Sequence, residues 1–303
     1  MDCGCGSSAS PQLLSEDADK RAIDDLTKQA KSQSGPLAAL TRARRDQIRA
    51  EVAAETGFTR SINRSRRELL AVLEAAAARD PQLLLRLSPE ELNDLILNGG
   101  MGQAVDDLIL SQQRILRSIG SSLAVIDPSL SIQDLPQLEQ LQIQSVASIF
   151  EDVILPDTQS AVRDALTSLS LDVPTEIVFS DLNERLKRST GRQLTEVKTR
   201  ISQYGRSINA AAASAAELDL FLYTGPMDGI TRPFCKPLVN KVISERQMSA
   251  LRDGQGLPVI TSGGGYNCRH SWSPVSQSFV DAAELERATR FDIAQANRKG
   301  RQR

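Results

Sequence analysis

The sequence predicts a mainly α protein, with a long helical body followed by a small α+β module near the C-terminus that is held by a cysteine pair. Three observations point there. Residues 13–217 are rich in alanine and leucine and are punctuated by helix caps and stops. Seven of the eleven aromatic residues lie within 204–279. Seven of the eighteen glycines, two of the four cysteines, the only histidine and the only tryptophan lie within 225–272.

Residues 13–31 read as one short helix, acidic at its start (Glu16, Asp17, Asp19) and basic at its end (Lys28, Lys31), the order the helix dipole favours. Pro36 is placed to open the next helix. Residues 37–55 and 59–79 then read as two helices separated by Gly57. Ser88-Pro89-Glu90-Glu91 is a capping box with proline at the first helical position, so a helix runs from there to Leu97 and stops at Asn98-Gly99-Gly100. Residues 101–119 carry an apolar stripe of Val105, Leu108, Ile109, Ile115, Leu116 and Ile119. Asp127-Pro128 and Leu135-Pro136 punctuate a connector, and 138–155 resumes helix. Residues 166–171, 182–188 and the alanine-rich 194–218 supply further helical segments. No fixed-period repeat marks a solenoid.

After Glu217 the pattern changes. Apart from Asp219, residues 218–223 are apolar and aromatic, as in a short strand. Gly225-Pro226 and Asp228-Gly229 are turn pairs, and Ser244 caps a helix over 244–251. Gly263-Gly264-Gly265 frees the backbone to deliver 266–270 as an extended arm. From Asp281 the chain reads as a helical tail ending in Arg298, Lys299, Arg301 and Arg303, with a frayed end expected. The expected organisation is a flexible N-terminal segment over 1–35, a helical body over 36–180, the module over 181–280 and a basic helical tail over 281–303.

With 40% hydrophobic and 24% charged residues, composition is that of an ordinary water-exposed protein with a sizeable core. A net charge of −2 supplies no global attraction to nucleic acid or anionic lipid. No run approaches a membrane span, and Met1-Asp2-Cys3-Gly4-Cys5 lacks the form of a secretory signal, so a reducing cytoplasm is the expected place of synthesis. Charge is concentrated locally. Arg42, Arg44, Arg45, Arg49, Arg60, Arg64, Arg66 and Arg67 face only Asp46, Glu51 and Glu55 over 42–67. Such a block could meet a phosphate backbone or form a solvated helix face. The Cys3/Cys5 pair sits in a Gly/Ser-rich start and supplies too few ligands for a metal site.

In the module, Cys235 and Cys268 are separated by thirty-two residues. They read first as a structural pair, with or without a bond: a covalent bridge over that loop would stabilise by about 3–4 kcal/mol, but a reducing cytoplasm argues against one while the fold assembles. A second reading is zinc, with Cys235, Cys268 and His270 as ligands and Asp228 as a fourth, since Cys268 and His270 share one face of an extended arm. A third is nucleophilic catalysis by a thiolate with His270 as base. There a Cys235–His270 pair is the easier geometry, because residues two apart rarely bring an imidazole nitrogen onto the neighbouring sulfur. Asp228 and Thr231 are expected to tighten the turn before Arg232, and Arg232 and Arg269 to pair internally. Trp272 is expected to plug the module's core.

Two ordered elements here carry a family likeness. Tyr223-Thr224-Gly225-Pro226-x-Asp228-x-x-Thr231-Arg232-x-Phe234-Cys235 is followed by Gly254-Gln255-Gly256-x-Pro258-Val259 and by Gly264-Gly265-Tyr266-Asn267-Cys268-Arg269-His270-x-Trp272. This resembles the head morphogenesis family of Mu F-like minor head proteins of tailed bacteriophages, over about a third of the chain (182–275). Relatives often carry a second cysteine soon after the first, where Lys236-Pro237-Leu238 stands here, and His270 stands where others have cysteine.

The resemblance implies a non-enzymatic virion component of the head interior or neck, assembled in the host cytoplasm. It would act in head assembly and in DNA packaging or ejection, in multiple copies, with portal or major coat protein as partners and packaged DNA as a further one, and with no membrane partner. The motif residues it singles out are Asp228, Thr231, Arg232, Cys235, Gly265, Asn267, Cys268, Arg269, His270 and Trp272. No cofactor is expected beyond zinc as a candidate. A thiol- or metal-dependent enzyme and a DNA-binding virion protein are the alternative readings.

Overall fold

The computed structural model describes residues 11–301 except 129, 130, 133, 134, 136 and 172. The Cys3/Cys5 start, Pro136 of the connector and Arg303 lie outside the described residues. The protein is mainly helical, with a three-stranded antiparallel sheet toward its C-terminal end. Among the described residues no helix is long and apolar enough to cross a membrane. The chain divides into two compact units, each assembled from separated stretches.

One unit comprises Ala50–Ile119 and Ile132–Ala211 and is helical. Helix α2 (Gly35–Arg79) enters it as a single element, correcting the expected break at Gly57. The buried face runs through that glycine: Ala54, Phe58, Ile62, Leu69 and Leu73 are all inside. A glycine in a helix costs about 1 kcal/mol against alanine, whereas each large apolar side chain buried contributes about 1.5–3 kcal/mol. Packing therefore outweighs propensity. The same argument joins 182–188 to the alanine-rich segment in one helix, which becomes α8 below.

Helix α3 (Pro81–Leu85) follows with Asp80 capping it. Helix α4 (Pro89–Ile96) opens on the predicted capping box, with Ser88 Oγ accepting from the Glu91 N–H. The expected stop is a kink rather than a loop. Leu97–Met101 forms a π-type turn, Gly100 takes φ +104°, and helix α5 (Gly102–Ile126) continues from it. Ser65 Oγ of α2 donates to the Gly100 carbonyl at 2.7 Å, tying the kink to that helix. Helix α6 (Leu138–Ile149), a second π-type turn (Phe150–Ile154) and α7 (Leu155–Ser170) replace the one helix expected over 138–155. Helix α8 (Thr175–Ala215) buries Val178, Leu182, Leu186, Val197, Ile201 and Ile208.

The other unit comprises Met1–Arg49, Gly120–Ser131 and Ala212–Arg303. Helix α1 (Pro11–Ser32) belongs to it. Ala22 is fully buried and Leu26 nearly so, so a large part of the segment expected to be flexible is ordered, because its apolar stripe has a surface to cover. The sheet has the order β2-β1-β3, with β1 (Leu220–Thr224) in the centre, β2 (Val242–Ser244) and β3 (Ser271–Val275). All five β1 residues are buried, which is why that strand reads as mostly apolar and aromatic rather than alternating.

The strands flanking β1 are closed in different ways. Pro274, opposite Phe221, sits on β3, where its missing N–H costs no ladder bond. The outer edge of β2 is covered by the chain at 286–288: Val242 N–H donates to the Glu286 carbonyl and Ala288 N–H to the Val242 carbonyl, both at 2.8 Å.

Ser244 caps α9 (Glu245–Met248) through a second capping box. Helix α10 (Val259–Ser262), α11 (Gln277–Ala282) and α12 (Arg290–Gly300) complete the unit. Over its described residues the tail is packed. Ile293 and Ala296 join a core with Phe221, Tyr223, Phe234, Leu238, Ile243, Met248 and Trp272, and Lys241 pairs with Asp292 at 2.8 Å.

Candidate functional site

Strand β1 places Tyr223 opposite Trp272 on β3, and the two rings pack at 4.1 Å between centroids. The His270 ring stacks on Tyr223 at 5.2 Å, nearly parallel. Trp272 donates its indole N–H to the Val259 carbonyl at 2.9 Å and is buried, as expected of a core plug. The predicted extended arm is only partly extended. Tyr266 and Asn267 form a turn, with Asn267 at φ 53°, a left-handed conformation asparagine tolerates. Only 268–270 leads straight into β3.

The two motif elements meet through arginines. Arg269 makes a two-point ion pair with Asp228, at 2.5 and 2.7 Å, and also donates to the Ala18 carbonyl of α1 at 2.8 Å. Thr231 Oγ1 lies 2.9 Å from both the Pro226 carbonyl and the Asp228 carboxylate, and accepts the Asp228 N–H at 2.9 Å. Burial works to raise the Asp228 carboxyl, but the bonds from Arg269 and Thr231 outweigh it and hold it below the usual carboxylate range. Asp228 is thereby committed to Arg269, in line with the expected turn and internal pairing, and is not available as the fourth ligand of the zinc reading. Arg232 donates to the carbonyls of Gly264 and Tyr266, pinning the glycine-rich loop beside Cys235.

That loop is shaped for close approach. A Cβ on Gly264 would stand 2.5 Å from Cys235 Sγ and 3.4 Å from Cys268 Sγ. Gly265, at φ +98°, receives the Gln255 side chain where a Cβ would be, and Gln255 accepts the Tyr266 N–H at 2.8 Å. Gly225 likewise leaves room for the His270 ring.

Within this shell Cys235, Cys268 and His270 are all buried, and their ligand atoms lie within 4.8 Å of one another. The two sulfurs stand 3.9 Å apart as thiols with no disulfide between them, so the expected staple is a contact and not a bond. Tyr223 Oη donates to Cys235 Sγ at 3.3 Å and lies 3.7 Å from Cys268 Sγ. His270 Nε2 is 2.9 Å from the Pro226 carbonyl, and Nδ1 is 3.7 Å from Cys268 Sγ. The expected Cys235–His270 pairing is therefore replaced by Cys268–His270. Hydrogen bonding to Cys268, then burial, raises the Cys235 thiol well above its ordinary value, and burial followed by the nearby sulfurs does the same to the Tyr223 phenol. A thiol so protected from ionising is a poor nucleophile.

The basic block is dispersed. Arg44 is buried and donates to the Arg269 carbonyl at 2.9 Å, which removes it from the residues expected to face nucleic acid. Its backbone partner lies in the motif, so the arginine supports the site. Arg45 and Arg49 both pair with Asp46, Arg64 pairs with Asp107, and Arg66 bonds Asn63. Arg42, Arg60 and Arg67 are exposed.

Tyr223 was not among the expected site residues, and Arg44 was expected at a nucleic-acid face rather than behind this site. A tyrosine inside an otherwise apolar strand is the available signal for the first, because a buried phenol needs a partner. Arg44 carries no local signal, since its partner lies 225 residues away. Comparison with protein-family models, with curated proteins and with solved structures finds no match to this chain.

Proposed function

We propose that the chain is a structural minor head protein of a tailed phage, acting in head assembly by docking on portal or coat subunits rather than by turnover. The observation that supports this is how the motif residues are used. Asp228, Thr231, Arg232 and Arg269 are spent on holding one another and the adjoining loops, and the cysteines sit buried as thiols. A signature spent on internal bonds is what a scaffold element needs, whereas a catalyst requires groups aimed at a space a substrate can enter. On this reading the protein resides in the head interior or neck, and Arg60, Arg64 and Arg67, on one face of α2 by helical spacing, are the residues that would meet packaged DNA.

The test is quantitative mass spectrometry of purified virions together with a phage carrying a nonsense codon in this gene. The expected result is a fixed copy number per particle and a failure to form complete heads. Absence of the protein from virions, with normal heads in the mutant, would overturn the reading.

A further inference from the structure

We propose that Cys235, Cys268 and His270 bind a structural zinc ion whose fourth position is taken by the hydroxyl oxygen of Tyr223. The assignment stands independently of the head-protein reading. A tetrahedral zinc ion with bonds of about 2.3 Å to sulfur and about 2.0–2.1 Å to nitrogen requires sulfur atoms about 3.8 Å apart and sulfur–nitrogen separations of about 3.6 Å. The observed separations are 3.9 Å between the sulfurs and 3.7 Å from Cys268 Sγ to His270 Nδ1. An oxygen ligand needs about 3.5 Å to each sulfur, and Tyr223 Oη stands at 3.3 and 3.7 Å. These are four of the six edges of one coordination tetrahedron, held near that size without a bridge between the sulfurs, and the Cys235–His270 edge lies within 4.8 Å.

The histidine is also oriented for ligation. A carbonyl oxygen can only accept, so the 2.9 Å contact with Pro226 places the ring proton on Nε2. Metal binding would then use Nδ1, which already lies 3.7 Å from Cys268 Sγ. A backbone carbonyl on the far nitrogen is the usual support of a zinc-bound histidine. Asp228, the carboxylate near this sequence, is held by Arg269 and does not compete. Two thiolates neutralise the dication, so a buried site carries no net charge, and the two thiol protons leave to solvent on binding. The absent Cβ atoms of Gly264 and Gly225 are what let the ligands approach this closely.

The experiment uses the full chain with Cys3→Ser and Cys5→Ser, which removes the only other thiols. Elemental analysis should find one zinc per chain. Exchange for cobalt(II) should give sulfur-to-cobalt charge transfer and the intense visible bands of four-coordinate geometry, and X-ray absorption should show two sulfur and two nitrogen or oxygen neighbours. Folded protein that carries no zinc and develops no cobalt spectrum would overturn the proposal, as would a mass lower by two hydrogens showing a disulfide. Cys268→Ser should abolish tight binding. Because that variant could fail to fold, Tyr223→Phe provides the second arm. It should keep the two-sulfur charge transfer while affinity falls about 10- to 100-fold, and unchanged affinity would remove Tyr223 from the fourth position.

Discussion

Arg269 and Asp228, forty-one residues apart in sequence, close on each other through two bonds with both side chains about nine-tenths buried. This pair joins the turn after β1 to the arm before β3, and Arg269 also reaches the carbonyl of Ala18 on α1. Removing one partner of a buried ion pair leaves the other uncompensated, at a cost of about 3–5 kcal/mol. Asp228→Asn is therefore expected to lower stability by about 3 kcal/mol in denaturant titrations, with Arg269→Lys intermediate because it gives up the two-point geometry.

The same pair makes stability depend on pH. The folded carboxyl of Asp228 lies below its unfolded value, so its contribution is present above about pH 4 and is lost as pH falls through the folded value. The stability gap between the parent protein and Asp228→Asn should be full at neutral pH and narrow on acidification below about pH 4. A gap that stays constant down to pH 2 would remove the carboxylate from this role.

Cys235 supplies a dependence of opposite sign. Its thiol is shifted upward in the folded, metal-free protein, so the stability it contributes is present below about pH 8.5 and is lost as pH rises through the folded value. Chelator-treated protein should weaken in alkaline buffer, and its two buried thiols should resist alkylation until it unfolds. Zinc-loaded protein should not weaken in this way, because the thiolates are already formed. Thermal melts with and without chelator across that range separate the two states.

Gly264→Ala should destabilise by about 1–3 kcal/mol, because the added Cβ would stand 2.5 Å from Cys235 Sγ in a packed core. Since Trp272 is the only tryptophan, its fluorescence reports this core alone. The variant should move the emission-monitored transition to lower denaturant, and in native buffer the emission should stay that of a buried indole.

Local features were the legible ones. The capping box at Ser88 and the cap at Ser244 could be read directly, because the groups that satisfy them lie three residues away. β1 was legible from its short apolar and aromatic stretch. Helix continuity through Gly57 was hidden, since a glycine looks like a stop until the buried face on both sides is known.

At the site, the turn made by Asp228 and Thr231, the internal use of both arginines and the burial of Trp272 followed from side-chain chemistry. The Cys268–His270 contact did not, because the Pro226 carbonyl that orients the ring lies 44 residues away. The contributions of Tyr223 and Arg44 were obscured for the same reason: their partners are brought in only by the fold.

The strip of chain at 286–288 that lines β2 sets where the protein can be shortened. A fragment ending at Asp281 would keep every motif residue and all three strands, yet it would leave Val242 with unanswered backbone groups and Lys241 without Asp292. Such an edge pairs readily with another copy. The smallest fragment to prepare for spectroscopy or crystallisation therefore runs through α12, and an affinity handle belongs beyond Gly300 rather than in place of that helix.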